Sequence, residues 1–268
     1  MQENTLLNMI KGMCVGASML VPGVSGGSMA MILGIYDKLI KSVSSFMKNK
    51  KKNLLFLGIF SVGAIIGMIL FARPLSYLTE KYNMKMMYFF IGAVVGAVPM
   101  IYRKAEIKKF DISVIIYHII GMLFIVILSF LPKDLVSISE NDKILNIIML
   151  VLVGMVAAIA LVLPGISVSY MLLLLGMYDT TIKAIHNFYL LYLVPLGIGT
   201  IIGILLTTKL LEKALNNYAK GTYLIILGFI LASVIEIFPG IPSGIDILYS
   251  LILFLVGFII INRLSRNE

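Results

Sequence analysis

Tryptophan is absent from the 268 residues, cysteine occurs once and histidine twice. A single cysteine rules out an internal disulfide and any Cys-x-x-Cys metal site. Cys14 lies in an apolar run and is expected to be buried there as a packing residue. Neither a metal nor a cofactor is expected. Charge is scarce as well. Only 13% of residues are Asp, Glu, Lys or Arg, against about 25% in soluble domains. Hydrophobic residues make up 60%, and mean hydropathy is +1.04. A soluble globular domain is excluded. The chain has no folded polar surface, so its 22 basic against 13 acidic residues do not signal nucleic acid. They read as cytoplasmic anchoring to anionic membrane lipids. Residues 1–10 lack a basic leader and a cleavage site, so no removable signal peptide is expected. Without tryptophan, tyrosine is left as the main interfacial aromatic.

What is abundant is uncharged length. Uncharged stretches run 12–36, 53–72, 86–102, 112–132, 144–178, 184–208, 221–235 and 247–262. A bilayer span takes roughly 17–25 apolar residues. The expected fold is all-α: a polytopic transmembrane helical bundle forming one domain over 1–268.

The chain is also duplicated. Residues 22–43 (PGVSGGSMAMILGIYDKLIKSV) and 164–185 (PGISVSYMLLLLGMYDTTIKAI) agree at 10 of 22 positions. The match extends downstream to Gly92 and Gly228. A first repeat over 5–132 and a second over 144–262 follow, each an interrupted segment plus three ordinary spans. Proline ends a helix, and glycine permits unusual backbone. Irregular backbone at membrane depth is tolerated only inside protein or beside water. Pro22-Gly23 and Pro164-Gly165 are therefore expected to form re-entrant hairpins, a pattern that marks transporter binding sites. If each hairpin enters and leaves on one side, the two repeats are inverted. The cytoplasmic segments then hold 15 Lys or Arg and the outer ones 6. A single crossing of the second hairpin gives 11 against 10. The positive-inside rule prefers inversion, with both termini cytoplasmic.

The hairpin tips offer hydrogen-bond donors. Ser25, Ser28, Ser167 and Ser169 carry hydroxyls, and Gly26 and Gly27 expose amides. The helix ends that follow favour anions. The other reading of small residues is close helix packing, assigned here to Gly63, Gly67, Gly92 and Gly96. Arg73 follows an uncharged span; it is either an interfacial anchor or a phosphate contact at an entrance. Glu236 is the lone carboxylate inside an apolar span, and so a candidate coupling group or a partner for Arg73. Asp37 and Asp179 read as helix terminators, His118 as a hydrogen-bonded packing residue, and the lysine run 48–52 as an anchor.

Val21-Pro22-Gly23-Val24-Ser25-Gly26-Gly27-Ser28, followed by Ile32-Leu33-Gly34-Ile35-Tyr36-Asp37, resembles the signature of a bacterial polyprenyl-phosphate transport family, formerly a domain of unknown function. The second Pro-Gly-x-Ser copy extends the likeness over nearly the whole chain. Position 28 is Ser where many relatives have Thr, which keeps the hydroxyl. The second copy has Val168-Ser169 where the first has two glycines. The resemblance implies a flippase in the bacterial cell membrane. It would move undecaprenyl phosphate from the outer to the cytoplasmic leaflet, recycling the lipid carrier for peptidoglycan and teichoic acid synthesis. It implies no enzyme. Substrate contacts would fall to Pro22, Gly23, Ser25, Gly26, Gly27, Ser28, Arg73, Gly165, Ser167 and Ser169. The sequence is open to a homo-oligomer. Two alternatives stand beside this reading. Undecaprenyl-pyrophosphate phosphatases carry a related tip but need carboxylates and an Arg near it. Here no acid lies between Glu3 and Asp37, and position 26 is Gly. A small-anion channel would require a continuous polar pore.

Overall fold

The computed structural model describes residues 5–21, 24–107, 111–131 and 143–265, with only the backbone of Lys143 and Glu236. Among the described residues the regular elements are helices. The first half contributes α1 (Thr5–Ser18), α2 (Gly26–Ile32), α3 (Tyr36–Ser44), α4 (Lys50–Lys81), α5 (Asn83–Lys104) and α6 (Ile112–Ser129). The second contributes α7 (Lys143–Val162), α8 (Val168–Leu174), α9 (Tyr178–His186), α10 (Leu190–Asn217), α11 (Ala219–Ile237) and α12 (Asp246–Ser265).

Among the described residues six helices can cross a bilayer by length and composition: α4 with the turn before it, α5, α6, α7, α10 and α12. This departs from the expected spans at α7. α7 was expected as a hairpin arm, yet its 20 residues cover about 30 Å at 1.5 Å per residue, the thickness of the hydrocarbon layer. The apolar part of α11, Ala219–Ile235, stands at the lower limit of a span. Large apolar side chains such as Ile69, Ile112 and Leu191 point outward, each more than two-thirds exposed. Such a surface suits lipid rather than water. The chain is a multi-pass membrane protein.

Helices pair in one pattern in both halves. α1 lies along α4, and α7 along α10; α5 lies along α12, and α6 along α11. Glycines allow these contacts. A Cβ at Gly16 would sit 2.0 Å from the Ala64 carbonyl oxygen, and one at Gly67 would sit 2.1 Å from that of Met13. Gly63 meets Met9 in the same way, and Gly92 and Gly96 meet Phe254 and Phe258. Gly199 and Gly121 do so against Val151 and Ile225. Lipid tails are as apolar as leucine, so association rests on close backbone approach rather than a hydrophobic drive. The centre lies where α2, α5 and α11 meet and bury Met31, Ile101, Leu224, Leu227 and Ile230 completely.

The duplicated Leu-Gly-x-Tyr-Asp has a local cause. Gly34 (φ +67) and Gly176 (φ +71) take the left-handed conformation. The next N–H in each copy reaches back five residues, Ile35 to Ala30 at 3.0 Å and Met177 to Leu172 at 2.8 Å. This helix end satisfies orphan carbonyls and needs glycine at the left-handed position. It turns α2 into α3 and α8 into α9.

Polar residues near the ends fix the register. Asp111 caps α6 by accepting from Val114 N–H at 3.3 Å. Ser113 hydroxyl and then Lys220 ammonium hold its carboxyl down to about 2. The folded value is depressed, so this clasp between α6 and α11 is fully present above the ordinary carboxylate range and is lost only as pH falls towards 2. His118 is hydrogen-bonded on both nitrogens, to Tyr102 hydroxyl at 3.2 Å and Val114 carbonyl at 2.6 Å. Cys14, expected inside, is exposed on α1. Gly12 and Gly16 are buried in that helix instead.

Candidate functional site

The first tip begins where α1 ends. Ser18 hydroxyl donates back to Val15 carbonyl at 2.7 Å, and Val24 N–H to Val21 carbonyl at 3.1 Å. Pro22 and Gly23 lie outside the described residues. Ser25 follows as the N-cap residue of α2, with extended backbone, and its hydroxyl makes no capping bond. Gly26 opens the helix. Gly27 backs onto the second tip, since a Cβ there would lie 3.3 Å from Pro164 Cα and N.

The two tips touch. Ser28 is buried, and its Oγ accepts the Gly165 N–H at 2.7 Å. Gly165 has φ +84, and a Cβ on it would meet the Phe229 backbone of α11 at 2.5 Å. The second tip therefore sits in a slot that only glycine fits. Ser28 and Gly165, both expected to face a ligand, are bonded to each other. Ser167 caps α8 by accepting the Tyr170 N–H at 3.4 Å. Ser169 is exposed, away from the junction. Tyr170 hydroxyl donates to Leu128 carbonyl at 3.3 Å.

A cavity flanks each tip. One of about 310 Å³ is lined by Gly26, Gly27, Tyr36, Ile40, Phe60 and Thr208, among others. One of about 230 Å³ beside the second tip is lined by Ser129, Gly165, Ser167, Tyr170, Ala232 and Ile235 with apolar neighbours. Both walls are mostly apolar. Arg73 lines neither cavity. It is exposed in α4, which runs on through Pro74 to Lys81. The apolar part of α4, 54–72, covers about 28 Å at 1.5 Å per residue, so Arg73 stands where hydrocarbon would end. Glu236 lies next to the end of α11, and its side chain is outside the description.

One constellation was not expected. Asp37 is the second residue of α3 rather than a terminator. Its Oδ2 accepts from Lys104 Nζ at 2.7 Å and from Tyr223 hydroxyl at 2.9 Å, joining α3 to α5 and α11. Its Oδ1 is buried and has no hydrogen-bond partner among the described residues. Tyr36 hydroxyl donates to Val162 carbonyl at 2.7 Å, at the end of α7. In the other copy Asp179 is exposed. The recurrence of Tyr-Asp after each tip was the one signal in the sequence. It could not disclose partners 67 and 186 residues away.

The family described as undecaprenyl phosphate translocase-like matches residues 15–244. A Staphylococcus aureus protein named polyprenyl-phosphate transporter is 31% identical over 277 residues, covering 99% of this chain and 98% of its own. A Vibrio cholerae protein of the same name is 31% identical over 250 residues, covering 88% and 78%. No solved structure matches.

Proposed function

The chain belongs to the undecaprenyl phosphate translocase-like family, and from that premise we propose that it is a flippase for undecaprenyl phosphate. It takes the lipid from the outer to the cytoplasmic leaflet of the bacterial plasma membrane and returns the carrier to peptidoglycan and teichoic acid synthesis. The reading rests chiefly on one observation: two Pro-Gly tips from separate halves of the chain meet through Ser28 and Gly165 between two apolar cavities. Moving a bare phosphate through hydrocarbon is prohibitive. A prenyl tail can stay in lipid while the tips shelter the head. Ser25 hydroxyl and the amides of Gly26 and Gly27 serve as phosphate donors, with Ser167 on the other tip. Ser28 and Gly165 hold the tips together, and Ser169 and Arg73 attend the approach. Glu236, a lone carboxylate in an apolar helix, is the proposed coupling group. The apolar cavity walls favour this reading over a small-anion pore.

Hydrogen bonds to charged groups contribute about 1.5–3 kcal/mol each. Ser25→Ala is therefore expected to slow transport of labelled undecaprenyl phosphate across proteoliposome leaflets by roughly ten- to a hundredfold. A variant that inserts normally and transports at the wild-type rate would remove the first tip from the mechanism.

The proposed topology has two inverted repeats, re-entrant tips and both termini in the cytoplasm, supported by the distribution of basic residues. In a Cys14→Ser background, an impermeant maleimide added to intact cells should label Tyr82→Cys and spare Glu106→Cys. The reverse pattern would sink it.

A further inference from the structure

We propose a second anion site, on the lysine-bearing face of α3, that receives the phosphate head of an amphiphile whose chain lies in the apolar cavity on the other face of the same helix. The inference rests on the lipid-phosphate reading above and adds to it a site that the tips do not include. α3 divides two unlike spaces. Tyr36, Leu39, Ile40 and Val43, spaced as one helical face, line the 310 Å³ cavity that also touches Gly26 and Gly27. The opposite face lines a cavity of about 710 Å³ with Lys38, Lys41, Lys48, Lys52, Glu212 and Asn216. A smaller space of about 200 Å³ continues from it towards Asp37, Lys104 and Tyr223, sharing Lys41 and Glu212, and it touches Ile40 of the apolar face. One helix thus separates a slot fit for an isoprenoid chain from a basin fit for a phosphate.

The charge in the basin is unbalanced. Four lysines line it against two carboxylates, both hydrogen-bonded, and the smaller space adds one of each, Lys104 and Glu106. Asp37 holds Lys104 and Tyr223, and Glu212 accepts from Ser44 hydroxyl at 2.6 Å and Ser45 hydroxyl at 3.2 Å. Lys41 and Lys48 have no acceptor among the described residues, and both are exposed to the basin. Lysine binds phosphate as a compact point charge. A surface anchor would spread its lysines along a membrane plane. Here Lys41 comes from α3 and Lys48 from the turn before α4, and both line one cavity that α10 closes with Glu212 and Asn216.

The test uses the full chain in nanodiscs of zwitterionic lipid, with farnesyl monophosphate as the amphiphilic probe and inorganic phosphate as the tail-less one. The double variant Lys41→Gln/Lys48→Gln is expected to weaken farnesyl monophosphate binding by about tenfold or more, while Lys183→Gln on α9 binds like wild type. Inorganic phosphate is expected to compete only at far higher concentration, because it lacks the chain. Competition by inorganic phosphate on equal terms would mean a free-phosphate site and overturn the assignment. Wild-type binding by the double variant would make these lysines an anchor and overturn it too. The same variant in proteoliposomes separates the two readings. If wild type moves undecaprenyl phosphate and the double variant binds and moves it equally well, this site falls and the tip reading stands. If wild type neither binds the probe nor moves the lipid, both fall.

Discussion

Gly165→Ala is expected to leave little folded protein. A left-handed backbone costs a non-glycine residue about 1–2 kcal/mol. The new Cβ would lie 2.5 Å from the Phe229 carbonyl group, and that is backbone, which cannot swing aside. Forcing atoms into a packed interior costs about 1–3 kcal/mol. Any retreat of the tip breaks the 2.7 Å bond to Ser28 and strands a buried donor, for about 1–3 kcal/mol more. Clash and retreat are alternatives, so the loss is about 2–5 kcal/mol, a large share of a domain's stability. Size-exclusion of detergent extracts should show loss of the monodisperse peak, with a sharply lower melting midpoint in what remains. Gly26→Ala supplies the contrast. The atoms nearest its Cβ would be Met19 Cγ and Sδ, at 2.9 Å, and a methionine can rotate away. That variant should melt within a few degrees of wild type. A normal melt for Gly165→Ala would mean that the second tip does not seat against α11.

Removing either end of the Asp37–Lys104 pair is the second large effect. The side chains are 26% and 19% exposed, between the exposed pairs that contribute about 0–1 kcal/mol and the buried ones whose breakage costs about 3–5. Asp37→Asn should therefore cost about 1–3 kcal/mol, because Lys104 keeps its charge and loses its counter-ion. Lys104→Met should cost a similar amount for the converse reason. The double variant leaves no orphan charge and should recover part of the loss. Unfolding midpoints of the four proteins give the coupling energy. Strict additivity would show that the pair is incidental. Tyr223→Phe removes only the hydroxyl that donates to Asp37 and leaves the ion pair in place, so it is expected to cost less than Asp37→Asn.

Much of this was legible in the residues. Segregated charge pointed to spans, Pro-Gly to two tips, and the repeated Leu-Gly-x-Tyr-Asp to a shared local fold. What lay hidden had physical reasons. Ser28 and Gly165 do not occupy equivalent repeat positions, since Ser28 aligns with Tyr170. No internal comparison could therefore pair them. α7 was read by analogy with the shorter α1, although the uncharged stretch before Pro164 was already long enough to span. Lys48 and Lys52 line one cavity with α3 and α10, which a linear run of lysines does not disclose. Asp37 looked like a stop because it stands at the exit of the interrupted segment, and its actual partners are distant in sequence. Cys14 misled because hydropathy does not distinguish a core from a lipid-facing surface.

The glycine contacts have a mechanical consequence. Within the pairs α1/α4, α7/α10, α5/α12 and α6/α11, backbone touches backbone, and no side chain in between can repack to absorb a shift. Sliding one member past the other would drive carbonyls into Cα atoms. Each pair therefore moves as one stiff beam. Contacts between beams run through side chains such as Ile101 and Leu227, which can change rotamer. Large rearrangement is confined to the seams between four beams and to the short helices α2, α3, α8 and α9 that bridge them. Amide exchange should be slowest along the glycine faces and fastest at those bridges.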